Sequence, residues 1–179
     1  MKMLYLLRHA KSSWENPGLA DRERPLAPRG RKAARAIGRH LACVDARPEL
    51  VLCSPALRAI QTLERLLAGF AGGVAPAIEV RDALYPGCRE ALLKTVRALP
   101  VSAERVLLIS HDPGLHALAV LLAAEGEPAR LAALRAKFPT AALAVLTLGD
   151  WVEAGAGTAR LEEFVRPRGE EFVRPRDLS

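Results

Sequence analysis

Arg8-His9 and Ser110-His111 each close a short apolar run, and Ser54-Pro55 with Arg58 follows a third. Histidine is the side chain whose ring is nucleophilic and proton-transferring near neutral pH. Arginine presents a planar fork of donors that matches a tetrahedral oxyanion. Side chains of these two kinds, brought together, suit phosphoryl transfer, which is mostly positioning and charge stabilisation. Read alone, Arg8-His9 is equally a strand end finishing in a solvated basic pair. The elements that carry these residues must decide between the two.

Leu4 to Leu7 are four consecutive apolar residues near the chain start, the pattern of a strand buried on both faces. Similar runs at 50–53, 78–80, 105–110, 141–148 and 160–165 predict further strands. Between them, alanine- and leucine-rich stretches predict helices over 28–43, 56–70, 89–99, 115–124 and 129–137, the first opening on Pro28. Residues 10–26, with Pro17, Gly18 and Pro25, read as a loop. This alternation is that of an α/β protein. In a parallel sheet the ends of the 4–7, 50–53 and 105–110 strands open on one edge, where ligands bind. Arg8, His9, Arg58 and His111 would then share one cationic pocket.

Four segments occur in a fixed order: Leu7-Arg8-His9-Ala10; Arg24-Pro25-Leu26 with Gly30; Ser54-Pro55-Ala56-Leu57-Arg58-Ala59-Ile60-Gln61-Thr62; and Ile109-Ser110-His111. Together they resemble the histidine phosphatase superfamily, and within it the small SixA-type phosphohistidine phosphatases. The resemblance covers residues 1–165. It implies a three-layer α/β/α sandwich of the phosphoglycerate-mutase-like kind, on a mostly parallel six-stranded sheet with one strand antiparallel. It implies that His9 attacks phosphorus and is transiently phosphorylated. It also implies that Arg8, Arg58 and His111 bind the phosphoryl oxygens, with Arg24 completing the clamp, and that no metal or cofactor is needed. The sequence departs from larger relatives in having little chain between the Arg58 helix and the helix from Arg89, so no long lid is expected.

That departure leaves the proton donor open. Asp112, directly after His111, matches the position of the donor in the acid-phosphatase branch, but Asp112-Pro113-Gly114 is also an ordinary helix start. Asp21, Glu15 and Asp82 are weaker candidates, and Asp21, three residues before Arg24, can simply orient it. Lys11 extends the positive field or is solvated. Trp14 is read as packing the loop, His40 as a solvated surface residue and His116 as a packed structural one.

The chain has 179 residues, half of them apolar and 26% charged, with a formal net charge of +6. That is the composition of a single soluble domain. We set the domain at 1–165 and a C-terminal extension at 166–179, because Glu162-Glu163-Phe164-Val165-Arg166-Pro167-Arg168 recurs as Glu170 to Arg176. No apolar stretch has membrane length, and the start is not a secretory signal. Cys43, Cys53 and Cys88 are odd in number and widely spaced, fitting neither a zinc site nor a disulfide framework, so a cytoplasmic location is expected. The basic residues are dispersed and aromatics few, which leaves nucleic-acid binding resting on charge alone. The expected partner is a phosphorylated protein, the expected activity dephosphorylation of its phosphohistidine. A phosphatase of small phosphoesters and a non-catalytic phosphoprotein-binding module are the alternatives.

Overall fold

The computed structural model describes residues 1–70, 72, 74–168 and 171–173. Strands are β1 (Lys2–Arg8), β2 (Leu50–Cys53), β3 (Ala77–Val80), β4 (Arg105–Ser110), β5 (Ala123–Gly126), β6 (Leu143–Leu148), β7 (Ala159–Arg168) and β8 (Glu171–Val173). Helices are α1 (Pro28–Cys43), α2 (Leu57–Leu67), α3 (Arg89–Arg97), α4 (Gly114–Leu122) and α5 (Pro128–Ala136), with single 3₁₀ turns at Asp21–Glu23 and Asp82–Leu84.

The strands lie in the order β3-β2-β4-β1-β6-β7-β5, with β8 added on β7. Neighbours from β3 to β1 are parallel, β6 runs against both β1 and β7, and β7 is again parallel to β5. The four-residue apolar run of β1 is explained by its central place. Leu4 and Leu6 face one core while Tyr5 and Leu7 face the other, and all four are fully buried. Truncating one of them, for example Leu6→Ala, would remove about 2–5 kcal/mol through lost transfer and a residual cavity. Helices α1 and α2 cover one face of the sheet, and α3, α4 and α5 cover the other. The three-layer α/β/α architecture is therefore the one expected.

The strand count is higher than the expected six. The sequence pattern places Ala123 and Ala124 in the preceding helix, but the chain turns extended there and Ala123 to Gly126 pairs with β7. Two alanines, a glutamate and a glycine carry no β-branched or aromatic signal, so pattern alone misses this strand. Strand β7 also runs past Val165 to Arg168, and part of the repeated segment folds back on it, pairing Arg166 with Val173. Residues 169–170 and 174–179, the rest of the expected extension, lie outside the described residues. Among the described residues, no helix is long and apolar enough to cross a membrane.

Candidate active site

Register brings the strand ends level. Arg8 pairs with Ser110 across β1 and β4, and Cys53 pairs with Ile109 across β2 and β4. The next residues continue the ladder: the His9 amide donates to the Ser110 carbonyl at 3.1 Å, and the Ser54 amide to the Ile109 carbonyl at 3.0 Å. Three chain segments thus leave the sheet side by side at its carboxyl edge, with Arg58 brought in from the first turn of α2.

The remaining motif residues fix the loop after β1 onto this frame. Thr62 Oγ1 accepts the Ala10 amide at 3.0 Å and donates to the Arg58 carbonyl at 2.6 Å, while Gln61 Oε1 accepts the Leu26 amide at 2.7 Å. Gly30 is needed because a Cβ there would collide with the Lys11 backbone. Gly114 is needed likewise, its Cβ position being occupied by the Gly87 carbonyl.

His9 and His111 face each other with ring centroids 4.9 Å apart. His9 Nδ1 lies 2.8 Å from the Ala10 carbonyl oxygen, which can only accept. The Nδ1 proton is therefore fixed, and Nε2 of the neutral ring carries the lone pair. His111 Nε2 is 2.6 Å from Ser54 Oγ, and its Nδ1 is 3.4 Å from Arg58 Nη2, a group that only donates. This network assigns the His111 proton to Nε2. Burial pushes His9 down to about 4, aided by the Arg58 and Arg8 charges and opposed by the Ala10 carbonyl and Asp21. His111 falls to about 3 through burial, then through His9 and Arg58. Both rings are neutral at neutral pH.

The arginines are held from behind. Arg8 donates through Nη1 to the Phe138 carbonyl at 2.8 Å, and its buried Nε has no hydrogen-bond partner among the described residues. Arg24 is gripped by the Ser13 carbonyl, at 3.1 Å from Nη2, and lies over the Trp14 ring. Arg58 donates through Nη2 to Asp21 Oδ2 at 2.8 Å and through Nη1 to the Asp21 carbonyl. Asp21 also accepts the Tyr85 hydroxyl at 2.9 Å and stands 3.7 Å from Arg24 Nη1. Burial tends to raise the Asp21 carboxyl, but hydrogen bonds from Arg58 and Tyr85 and the nearby Arg58 and Arg24 charges hold it below the usual carboxylate range.

The structure thus brings Arg8, His9, Arg24, Arg58 and His111 to one edge. Asp112 is at the same edge, 3.7 Å from Arg8 Nη1 and 4.0 Å from His116 Nδ1. Asp82 is exposed and pairs with Arg22. His116 is packed, bonded to the Leu134 carbonyl at 2.7 Å. Trp14 is 70% exposed, its ring serving as a platform for Arg24. The expectation for His40 is corrected: it is buried and bonded to Glu163 Oε2 at 3.0 Å. One helical turn beyond Ile37, it lies on the face of α1 that packs toward β7. Asp21 stands beside Arg24, as its place three residues earlier suggests, but its bonds to Arg58 and Tyr85 and the role of Ser54 on His111 are not legible in the sequence. Among the described residues, no three His, Cys, Asp or Glu side chains group as metal ligands.

A family model described as histidine phosphatase superfamily (branch 1) matches residues 4–85. An uncharacterized protein of Mycobacterium tuberculosis, MT1313, is 36% identical over 165 residues, covering 90% of this chain and all of that one. Among solved structures, the protein assigned as phosphohistidine phosphatase SixA from Agrobacterium tumefaciens superposes with a TM-score of 0.76 at 33% identity, over 93% of this chain and 98% of that one. The protein histidine phosphatase SixA complexed with tungstate superposes with a TM-score of 0.72 at 26% identity, over 99% of both chains. By sequence and by fold alike, the chain belongs to the histidine phosphatase superfamily, among its SixA-like phosphatases.

Proposed function

We propose that the protein is a metal-independent phosphatase that works through phosphohistidine on His9, and that its substrate is phosphohistidine on a protein. The observation that carries this reading is the His9 ring itself. It is neutral, its Nδ1 proton is fixed on the Ala10 carbonyl, and the Arg8 and Arg58 charges lie close to it. Attack by Nε2 forms a P–N bond on His9 as the substrate's own bond to phosphorus breaks. Arg8, Arg24 and Arg58 hold the non-bridging oxygens; His111, its Nε2 proton held on Ser54, presents Nδ1 to Arg58 and donates to the phosphoryl group only once Nδ1 has taken up a proton. Water then cleaves phospho-His9 and releases inorganic phosphate. That a SixA structure holds tungstate, an oxyanion, supports the oxyanion reading of the pocket.

The leaving group supports the substrate class. A phosphohistidine whose second ring nitrogen carries a proton departs as neutral imidazole, a weak base whose conjugate acid has a pKa near 6.5, so with that proton in place the site need supply no further donor. An alkoxide needs a strong one. Asp21 is held ionised by its partners, and Asp112 is turned toward Arg8. The chain between α2 and α3, residues 68–88, supplies one short strand and one turn and no long cover. The site accordingly fits a phosphorylated side chain on a folded partner.

The test is a rapid quench of the protein with a ³²P-labelled phosphohistidine protein, in buffer with and without EDTA. Acid-labile, base-stable label is expected on His9, absent in His9→Ala and unaffected by the chelator. Label on another residue, or turnover that a chelator abolishes and a divalent metal restores, would refute the mechanism.

A further inference from the structure

Asp21 puts a carboxylate where a phosphoryl oxygen would be bound. Oδ2 takes Nη2 of Arg58 at 2.8 Å, and Oδ1 lies 3.7 Å from Nη1 of Arg24. A phosphoryl dianion entering the clamp needs those same donors. Carboxylate and phosphoryl group cannot hold them together, since like charges a few ångströms apart repel strongly in a partly desolvated site.

One of the two must give way, and the carboxylate is the mobile partner. Its side chain is 57% exposed, against 9% for each of the two arginines it touches. It belongs to a three-residue turn with no buried residue. Arg24 is anchored behind by Ser13 and Trp14, and Arg58 is rooted in α2 with its carbonyl capped by Thr62. The Tyr85 hydroxyl, donating to Oδ2, marks the resting position of the carboxylate.

From this we infer that Asp21 is a resident competitor for the phosphate site. It bonds Arg58 and faces Arg24 between turnovers, is displaced when a phosphoryl group enters, and returns to expel inorganic phosphate after hydrolysis. The inference rests on the phosphoryl-site reading above and goes beyond it, by giving product release to a residue that does no bond chemistry. It also accounts for an ionised acid at the mouth of a site built to bind anions.

The experiment measures inorganic phosphate binding at pH 7.5 by calorimetry to wild type, Asp21→Asn, Tyr85→Phe and Arg58→Ala. The phosphate inhibition constant for p-nitrophenyl phosphate turnover is measured alongside. Asp21→Asn is expected to bind phosphate about tenfold more tightly, the worth of one partly exposed charge-assisted contact. Its inhibition by phosphate should tighten in parallel. Tyr85→Phe, which loosens the resting carboxylate without removing it, should move the same way by about two- to threefold, one neutral hydrogen bond at an exposed site.

Weaker phosphate binding in Asp21→Asn would overturn the inference and make Asp21 a positioning group for Arg58. Unchanged binding, with turnover lost only on poor leaving groups, would also overturn it and make Asp21 a proton donor. The underlying reading is checked separately. Phosphate must bind wild type and be lost in Arg58→Ala; if wild type binds none, the phosphoryl-site reading falls and this inference with it.

Discussion

Ser54 Oγ and His111 Nε2 lie 2.6 Å apart, and both residues are buried where β2 and β4 end side by side. The contact fixes which His111 nitrogen faces the pocket. Removing the hydroxyl leaves the buried Nε2–H without its acceptor, so Ser54→Ala should lose about 1–3 kcal/mol of stability by denaturant titration. Turnover should fall about 10- to 100-fold through kcat rather than KM, because a misoriented His111 is felt as charge develops in the transition state. A variant with unchanged kcat would remove His111 from the reaction.

Protonation of the two histidines links the site to stability. In the folded chain His9 titrates at about 4 and His111 at about 3, both below the usual 6.5 because burial disfavours the charged ring. Between about pH 6.5 and 4 the unfolded chain therefore binds more protons, and stability falls as pH falls. The loss is complete once pH is below both folded values. Proton NMR of the ring C–H signals should show two histidines that stay neutral down to pH 5, and His9→Ala should flatten the acid limb of the unfolding midpoint. Midpoints near 6.5 for both rings would contradict the buried, neutral pair.

Losing a charge-stabilising donor should be severe, and arginine should not be replaceable by lysine. Arg24→Ala and Arg58→Ala are each expected to lower kcat/KM roughly 10- to 1000-fold, as for one transition-state donor. Arg58→Lys should recover little, since an ammonium cannot offer two parallel donors to one oxyanion. Full activity in Arg58→Lys would show that charge alone, without the fork, suffices.

Much of this site is legible in the sequence. The Leu4–Leu7 run declared a central strand, and level strand ends put Arg8-His9 beside Ser110-His111. What the sequence did not reveal depends on neighbours far apart in the chain. Asp21 meets Tyr85 across 64 positions, and Ser54 meets His111 across 57, contacts that leave no periodic trace. His40 was misread because charged neighbours in sequence, Arg39 above all, mask its place on the inner face of α1. Strand β5 was lost because its ordering comes from pairing with β7, not from its own residues.

The leaving group gives the sharpest separation between substrates. With Asp21 held ionised by Arg58 and Tyr85 and Asp112 turned toward Arg8, little in the pocket is poised to protonate a departing alkoxide. Rates over a series of phosphate esters should therefore fall steeply as the leaving group becomes more basic, because charge on the departing oxygen goes unneutralised. A phosphohistidine protein and p-nitrophenyl phosphate belong to the fast end, and sugar phosphates to the slow end. Steady-state kcat/KM across aryl and alkyl esters, set beside a phosphohistidine protein, measures this slope. The docking surface of a folded partner should add a lower KM that p-nitrophenyl phosphate cannot share. A flat dependence with efficient turnover of one sugar phosphate would mean that a proton donor is at work and would move the substrate to small esters. The attack by His9 would stand in either case.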